Sequence, residues 1–232
     1  MKICSKDKLF SIELKENRIN KLIIENKSYY RNFISNLYIQ SKLGEGELIL
    51  FDGVKEISFN KNVNVVFQPI YIEINDKKYK NRINDSMIEK YKNGLENETI
   101  ANIIKELNRV GNIYALNSDF PITYNDFIEV KNIFSLLNFR IEFNENIFIN
   151  NLVDYILSIR KLDNKNIFVL LNLSDYLNDD EIELFYRNML YEKVDIIVVE
   201  PRENKKYDFE SIKIIDNDLC VLDFYDKRDY IY

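Results

Sequence analysis

Histidine is absent from all 232 residues of the sequence. A Ser-His-Asp triad, a Cys-His pair and a zinc site with histidine ligands therefore cannot be built within one chain. Catalysis by lysine, tyrosine or carboxylate side chains stays open in principle. The absence makes an enzyme less favoured than the fold class alone would indicate.

Glycine, proline and cysteine are also scarce, with five, three and two copies respectively. So few glycines and prolines favour long helices with short connections. Cys4 and Cys220 cannot form a disulfide framework or a CxxC metal site, and both lie in or beside strand-like runs. We therefore expect two small buried side chains in a reducing cytoplasm.

Long apolar runs are missing as well. None reaches the roughly 18 residues that a membrane-spanning helix needs, and the first ten residues hold no apolar signal segment. The composition is 46% hydrophobic and 30% charged, which is typical of a soluble globular protein. These features predict a cytoplasmic protein with no membrane association.

The pattern of apolar residues changes twice along the chain. Residues 1–70 and 139–232 are rich in short strand-like runs, including one at 139–143, whereas residues 71–138 are helical in pattern. Within the helical part, Thr123 and Asp126 resemble the start of a helix that continues to residue 137. The sequence therefore predicts a discontinuous α/β domain, 1–70 with 139–232, that carries an inserted helical domain, 71–138.

The clearest local unit spans residues 166–203. An apolar run at 167–171 is followed by Asn178 and Glu181, spaced as a capping box, and by apolar residues at helical spacing. A second apolar run at 194–199 completes a strand-helix-strand unit. Since both runs are continuously apolar, we expect two neighbouring strands in the middle of a parallel sheet.

Charge is distributed unevenly. Residues 172–232 carry 8 basic and 16 acidic side chains, so the remaining chain has a net charge of +2 within the total of −6. The first turns of the predicted helix after Asp76 hold Lys77, Lys78, Lys80 and Arg82. These four side chains form either an ordinary solvated helix face or a phosphate-binding stripe.

The turn after the strand-like residues 22–24 is where a nucleotide phosphate loop would stand. Lys27 and Ser28 are similar to the end of GxxxxGKS, but neither glycine is present. Without them the backbone cannot wrap a phosphate. Asp175, which follows the strand-like run 167–171, fits two alternative roles equally well, as a loop cap or as an acid that holds magnesium. We therefore expect no nucleotide cofactor and no nucleotide hydrolysis.

The run from residue 167 to residue 203, followed by Asp216-Asn217-Asp218 and a last apolar strand, resembles a known family. This is the type II-A CRISPR-associated adaptation protein, the ring-forming accessory protein for acquiring new spacers. The most specific element is Glu200-Pro201-Arg202-Glu203. Further similarity lies in residues 19–40, 46–53 and 123–142, so the resemblance covers most of the chain at low identity.

The resemblance implies a degenerate P-loop-kinase-like α/β head with a parallel or mixed sheet, plus an inserted α-helical leg. It also implies a non-catalytic homotetrameric ring that threads linear double-stranded DNA through a basic channel. CRISPR integrase proteins and the type II effector nuclease are the implied partners. The four basic residues after Asp76 are then the candidate DNA contacts.

Calcium is a further implication, because members of the family hold it on an acidic stretch of the leg. In this sequence that stretch offers only the carboxylates of Asp119 and Asp126, with Thr123 and Asn125 nearby. A hard cation takes six to eight oxygen ligands, several of them carboxylate. The sequence thus departs from the pattern at the implied metal site.

Two other functions fit the same residues. One is a nucleotide-binding, kinase-like enzyme on the same fold, and the other is a scaffold that binds only proteins. Of the three, we expect the sequence-independent binding of double-stranded DNA ends during spacer acquisition.

Overall fold

The computed structural model of the chain describes residues 1–94, 97–142 and 148–224. Contacts divide the chain into two compact units, residues 1–72 with 143–232, and residues 73–142. We call the first unit the head and the second the leg. Within the described residues, no helix is long and apolar enough to cross a membrane.

The described part of the head contains ten strands and four α-helices. The strands are β1 (Lys2–Ser5), β2 (Ser11–Glu13), β3 (Ile19–Ile24), β4 (Leu48–Asp52), β5 (Lys55–Ile57), β6 (Val63–Val66), β7 (Ile167–Leu171), β8 (Asp195–Glu200), β9 (Glu210–Ile215) and β10 (Val221–Phe224). The helices are α1 (Lys27–Leu43), α2 (Phe59–Asn62), α6 (Phe148–Asp163) and α7 (Asp179–Tyr191).

These strands form two sheets. The smaller is antiparallel in the order β2-β1-β4-β5, and the larger has the order β10-β9-β3-β8-β7-β6. All pairs of the larger sheet are parallel except β9 with β10. An α/β head with a mixed sheet and an inserted set of helices is therefore confirmed as the fold class. Strands β7 and β8 lie side by side inside the larger sheet, as predicted.

The main core lies on one face of the larger sheet. Leu22, Val169 and Val199 from that sheet join Ile3 and Leu50 from the smaller sheet in one buried cluster, and Leu37 of α1 closes it. The alternate residues of β7 and β8 are buried as well, and α7 contacts β8. Burial on both faces explains why these strands read as continuous apolar runs.

One charged pair lies inside this sheet. The Lys21 ammonium of β3 is 3.0 Å from the Glu210 carboxylate of β9, and both side chains are shielded from solvent (2% and 0% exposed). Lys21 also donates to the Lys205 carbonyl at 3.0 Å, and Glu210 accepts from the Tyr207 amide at 2.9 Å. Burial raises the pKa of the Glu210 carboxyl, and the Lys21 charge opposes that shift. The pair is stable only while both partners are present.

The leg is formed by α3 (Lys77–Lys92), α4 (Asn97–Leu116) and α5 (Val130–Leu137) in its described residues. Ile100 of α4 packs with Ile133 and Phe134 of α5 in a small apolar cluster. Asp76 caps α3 by accepting from the Tyr79 amide at 2.9 Å.

Two local predictions for the leg are wrong. Residues 139–142 are not a strand, because Phe139 packs on Phe134 and the Asn75 side chain bonds both backbone groups of Ile141; residue 143 lies outside the described residues. The helix predicted from Thr123 and Asp126 begins only at Val130. The preceding backbone is instead held to α4, where Asn108 donates to the Asp126 carbonyl at 3.0 Å.

The prediction that both cysteines are buried is also wrong. Cys220 is exposed and Cys4 is only half-buried. Cys220 lies in the turn between β9 and β10, where its amide donates to the Asp216 carboxylate at 2.7 Å. The requirement of a tight turn places this thiol at the surface.

The buried pair gives a test of the head. Lys21→Met should lower the free energy of unfolding by about 3–5 kcal/mol, because it leaves a carboxylate buried without its cation. The double variant Lys21→Met with Glu210→Gln should recover most of that loss, since Gln can still accept from the Tyr207 amide. Urea denaturation of the three proteins measures both values. A double variant as unstable as Lys21→Met would show that the buried charge is not the cause.

Candidate nucleic-acid interface

The carboxyl ends of the parallel strands define the edge at which α/β proteins usually bind ligands. In this head a side chain of the turn between β3 and α1 forms hydrogen bonds within the protein. The Asn26 side chain accepts from the Tyr29 amide at 3.0 Å and donates to the Asn217 carbonyl at 2.8 Å. Lys27 is exposed. No glycine lies in this turn, so it forms no phosphate-binding nest.

The same edge is filled by the protein's own side chains. Glu200, at the end of β8, is 1% exposed and accepts from the Ser174 amide at 3.0 Å and the Ser174 hydroxyl at 2.8 Å. Burial raises the pKa of the Glu200 carboxyl, and the bonds from Ser174 oppose that shift. Asp175 accepts from Arg202 at 2.7 Å in an exposed ion pair. The carboxylates at this edge repel the phosphates of a nucleotide.

A tyrosine completes the edge. The Tyr30 hydroxyl of α1 donates to the Asn172 side chain, which follows β7. Burial, reinforced by the Glu200 charge, raises the pKa of Tyr30 to about 12, so this hydroxyl stays a donor at neutral pH. Sequence reasoning singled out Asp175 but missed Tyr30, Asn172 and Ser174, because their proximity depends on strand order.

The predicted DNA contacts lie in the first turns of α3. Lys77, Lys78 and Arg82 are exposed, whereas Lys80 is half-buried. The Lys78 ammonium lies 4.6 Å from the centre of the Tyr79 ring, which is itself buried. Three of the four basic side chains are therefore exposed at the surface.

Acidic side chains interrupt the basic surface of the same helix. Asp85 and Glu89 are exposed one and two turns after Arg82. Opposite charges at this spacing reduce the local positive potential. Lys77, Lys78 and Arg82 therefore form one basic surface at the start of α3, separated by these acids from the exposed Lys90 and Lys92 in its last turn.

The residues predicted for calcium do not come together with others. Asp119 and Asp126 are both exposed, in the segment between α4 and α5. Throughout residues 1–94, 97–142 and 148–224, no group of three or more acidic or cysteine side chains is placed to hold a metal ion. One chain thus supplies too few carboxylates for a hard cation at this place.

Helix α4 carries a second apolar face that the chain leaves uncovered. Ile103, Leu107, Val110 and Tyr114 are 39%, 40%, 50% and 72% exposed, and they follow one another at spacings of four, three and four residues. This is the spacing of a coiled-coil seam. We call these four residues the open stripe.

Another side of α4 is already packed. Ile100 and Ile104 join the leg's apolar cluster, and Tyr124 lies against Gly111, where an added Cβ would come within 2.6 Å of the ring. The open stripe is therefore distinct from the face that holds the leg together. The spacing of its residues was readable from the sequence, but the sequence does not show which of two apolar faces is covered.

Together these features define an α/β protein in which the carboxyl edge of the sheet is occupied by its own side chains and the helical leg exposes an apolar stripe. The chain belongs to the CRISPR-associated protein (Cas_Csn2) family, whose model matches residues 40–219. This is the type II-A CRISPR adaptation accessory family, so the resemblance drawn from the sequence is confirmed. A CRISPR-associated role follows from the membership.

Other comparisons add little. No curated protein matches the chain. A solved structure titled "Putative ABC transporter (ATP-binding protein) from Pyrococcus furiosus" is similar at a TM-score of 0.41 and 11% identity, over 91% of this chain and 97% of that chain.

Because the carboxyl edge of the parallel strands is filled by the protein's own side chains, we expect nucleotides to have no effect on the protein. Addition of ATP or GTP should not raise the melting temperature, whereas a ligand at 100 times its dissociation constant would add roughly 2.7 kcal/mol. Hydrolysis should be absent, and Lys27→Ala should behave as the parent protein does, because Lys27 is exposed. Nucleotide turnover that Lys27→Ala abolishes would contradict this interpretation of the edge.

Proposed function

We propose that the chain is a non-catalytic protein that binds double-stranded DNA, especially linear ends, during the acquisition of new CRISPR spacers. In this proposal four copies form a ring around the duplex, and CRISPR integrase proteins and the type II effector nuclease are its partners. Family membership supports the setting, and the sequence resemblance supplies the finer roles. The filled nucleotide edge argues against a kinase-like enzyme.

The observation that carries the proposal is the open stripe of α4. Large apolar side chains at coiled-coil spacing are costly to leave in water, and a contiguous patch of them marks an interaction surface. A second copy of the same helix offers the matching seam, since such stripes pair with each other. Self-association through the leg would supply one of the contacts that a ring of four copies requires.

The basic start of α3 supports the DNA-binding part. Lys77, Lys78 and Arg82 are exposed on the leg, while the whole chain has a formal charge of −6. An acidic protein binds DNA only where basic side chains are segregated from acidic ones. No recognition helix or zinc module is present in the sequence, so phosphate contacts independent of base sequence are proposed.

In this proposal calcium can bind only where copies of the chain associate. Asp119 and Asp126 supply two carboxylates from one chain, so any calcium held there would need oxygen ligands from a neighbouring copy. Its binding would then depend on self-association. The DNA contacts proposed on α3 do not require it.

Self-association is tested by placing charge in the open stripe. Leu107→Lys with Val110→Lys should break this contact and reduce the size of the assembly, because four ammonium groups, two from each helix, would be buried in each pair of helices. Sedimentation velocity measures the change. Leu136→Lys is the matched control, since Leu136 is 81% exposed on α5 and outside the stripe. A parent protein that sediments as a monomer, or a stripe variant that sediments as the parent does, would contradict the proposed role of α4.

DNA binding is tested with linear and covalently closed circular duplexes of equal length. A closed ring can be loaded only by threading, so linear DNA should shift in a gel and circular DNA should not. Binding should also weaken steeply with salt, because each phosphate contact releases counterions. Equal binding to both forms would rule out threading.

The contribution of the basic residues of α3 to DNA binding is tested in the same gel-shift assay. Lys77→Glu, Lys78→Glu and Arg82→Glu together should abolish the shift without unfolding the protein, because exposed charges contribute little to stability. Lys6, Lys42 and Lys55 are exposed lysines of the head, and their triple replacement by Glu makes the same change in net charge. Equal losses in the two triple variants would show that net charge, and not the α3 surface, governs binding. The half-buried Lys80 is replaced separately.

A further inference from the structure

The core face of the larger sheet turns polar at one end. Alternation along β3 places Asn20 on the face that carries the apolar Leu22 and Ile24. On β9, Ser211 is aligned with Asn20 and Lys213 with Leu22. Polar residues thus replace apolar ones at a position where the sheet faces the core.

The burial of Asn20 makes a polar residue at this position unusual. Asn20 is only 4% exposed, although its neighbours along the strand are among the most fully buried apolar residues. A buried amide costs free energy unless it makes hydrogen bonds, and an apolar residue would pack there at no such cost. A polar floor at this point indicates a place for polar molecules.

A crevice lies against this floor. It has a volume of about 310 Å³ and opens between β2 of the smaller sheet and strands β3, β9 and β10 of the larger one. The polar side chains that line it are Ser11, Glu13, Lys15, Asn20, Ser211, Lys213 and Asp223. We call it the intersheet crevice.

The intersheet crevice continues into a second, adjoining space. That space has a volume of about 470 Å³ and shares Ser11, Lys213 and Asp223 with the first. It adds Lys2 and Lys8 to the lining and no further carboxylate. The first space includes Lys15 and Lys213 beside the carboxylates of Glu13 and Asp223, whereas the second has three lysines and Asp223 alone, so the second space is the more basic of the two.

This arrangement matches one chemical class of ligand. Ammonium groups such as those of Lys2 and Lys8 bind a phosphate group. At the other end the Glu13 carboxylate accepts hydrogen bonds from hydroxyl groups, and the Asn20 amide both donates and accepts them. A small molecule with several hydroxyls and one phosphate satisfies both ends.

We propose that the intersheet crevice of the head is a binding site for a small sugar phosphate, with the phosphate at Lys2 and Lys8 and the hydroxyls at Asn20 and Glu13. The site lies away from the carboxyl edge of the sheet, and all of its lining residues belong to the head. It does not rest on the proposed DNA binding, so either proposal can fail while the other stands.

Ribose 5-phosphate is the probe, with ribose and inorganic phosphate as its two parts. Titration calorimetry on the full chain, at constant ionic strength, should show saturable binding of ribose 5-phosphate at millimolar concentration or below. Each part alone should bind at least about tenfold more weakly, because it reaches only one end of the intersheet crevice. No saturable heat from ribose 5-phosphate would overturn the proposal.

Variants locate the site. Lys2→Gln with Lys8→Gln should weaken ribose 5-phosphate binding by about tenfold or more through loss of two charged contacts. Lys6→Gln is the matched control, since Lys6 lies in the same turn as Lys8 but does not line either space. Equal effects of the control and the double variant would mean unspecific attraction and would overturn the site.

Asn20→Leu separates binding from folding. This variant extends the apolar face of β3, so its melting temperature should equal or exceed that of the parent protein. Binding of ribose 5-phosphate should nevertheless be lost, because Leu offers no hydrogen bond. A folded Asn20→Leu protein that binds as well as the parent would show that Asn20 serves no ligand. If that variant fails to fold, Glu13→Gln with Ser211→Ala tests the same end of the site, and unchanged binding there would overturn it.

Discussion

The head is organised around a charge that cannot reach water. Lys21 lies in the middle strand of the larger sheet, with β8 on one side and β9 on the other, and its side chain is only 2% exposed. Removing an ammonium group from water costs several kcal/mol, so the fold must bring a carboxylate to it. Glu210 does so from the first residue of β9. The position of β9 beside β3 is therefore fixed by an ion pair as well as by backbone hydrogen bonds.

This constraint extends to the connection that precedes β9. The Lys205 carbonyl accepts from Lys21, and the Tyr207 amide donates to Glu210, so the chain must cross the sheet at this point. Tyr186 of α7 packs edge-on against Tyr207. Burial, with the nearby Glu210 charge, raises the pKa of Tyr186 well above its ordinary value, so its hydroxyl stays neutral. One buried pair thus links strand, loop and helix.

The leg is subject to a different constraint, which is its small size. A unit of about 70 residues has too much surface for its volume to cover every apolar side chain. Its described cluster has only three fully buried members, Ile100, Ile133 and Phe134. The open stripe is the apolar surface that remains on α4. In the head the two sheets cover each other, whereas the described residues of the leg leave the open stripe exposed.

The predictions from the sequence are correct where a local sequence pattern coincides with burial in the structure. The capping box at Asn178 and Glu181 is present, and β7 matches the predicted apolar run because both of its faces are covered. The predictions are wrong at residues 139–142, where an Asn75 side chain replaces the ladder partner of a strand. Strand β1 was missed because Lys2 and Cys4 alternate with a single core residue, Ile3.

The candidate sites divide in the same way. The missing glycines of the β3–α1 turn could be read directly from the sequence. What fills the edge could not, because Ser174 and Glu200 meet only when β7 and β8 are aligned. The pairing of Lys21 with Glu210 spans most of the chain and has no local signature. Lys80 differs from Lys78 and Arg82 in exposure because it lies toward the packed side of α3.

The charges at the carboxyl edge of the larger sheet also bear on where DNA can approach. Glu200, Asp175 and Asp216 lie at or just beyond the carboxyl ends of the parallel strands, in the segment 172–232 that carries 16 acidic and 8 basic side chains. At physiological salt their potential extends about 8 Å, which covers the whole edge. A duplex is therefore repelled from the surface where P-loop proteins hold phosphates. The rest of the chain has a net charge of +2 and exposes basic residues at the start of α3, so it is the more favourable part of the chain for meeting a duplex.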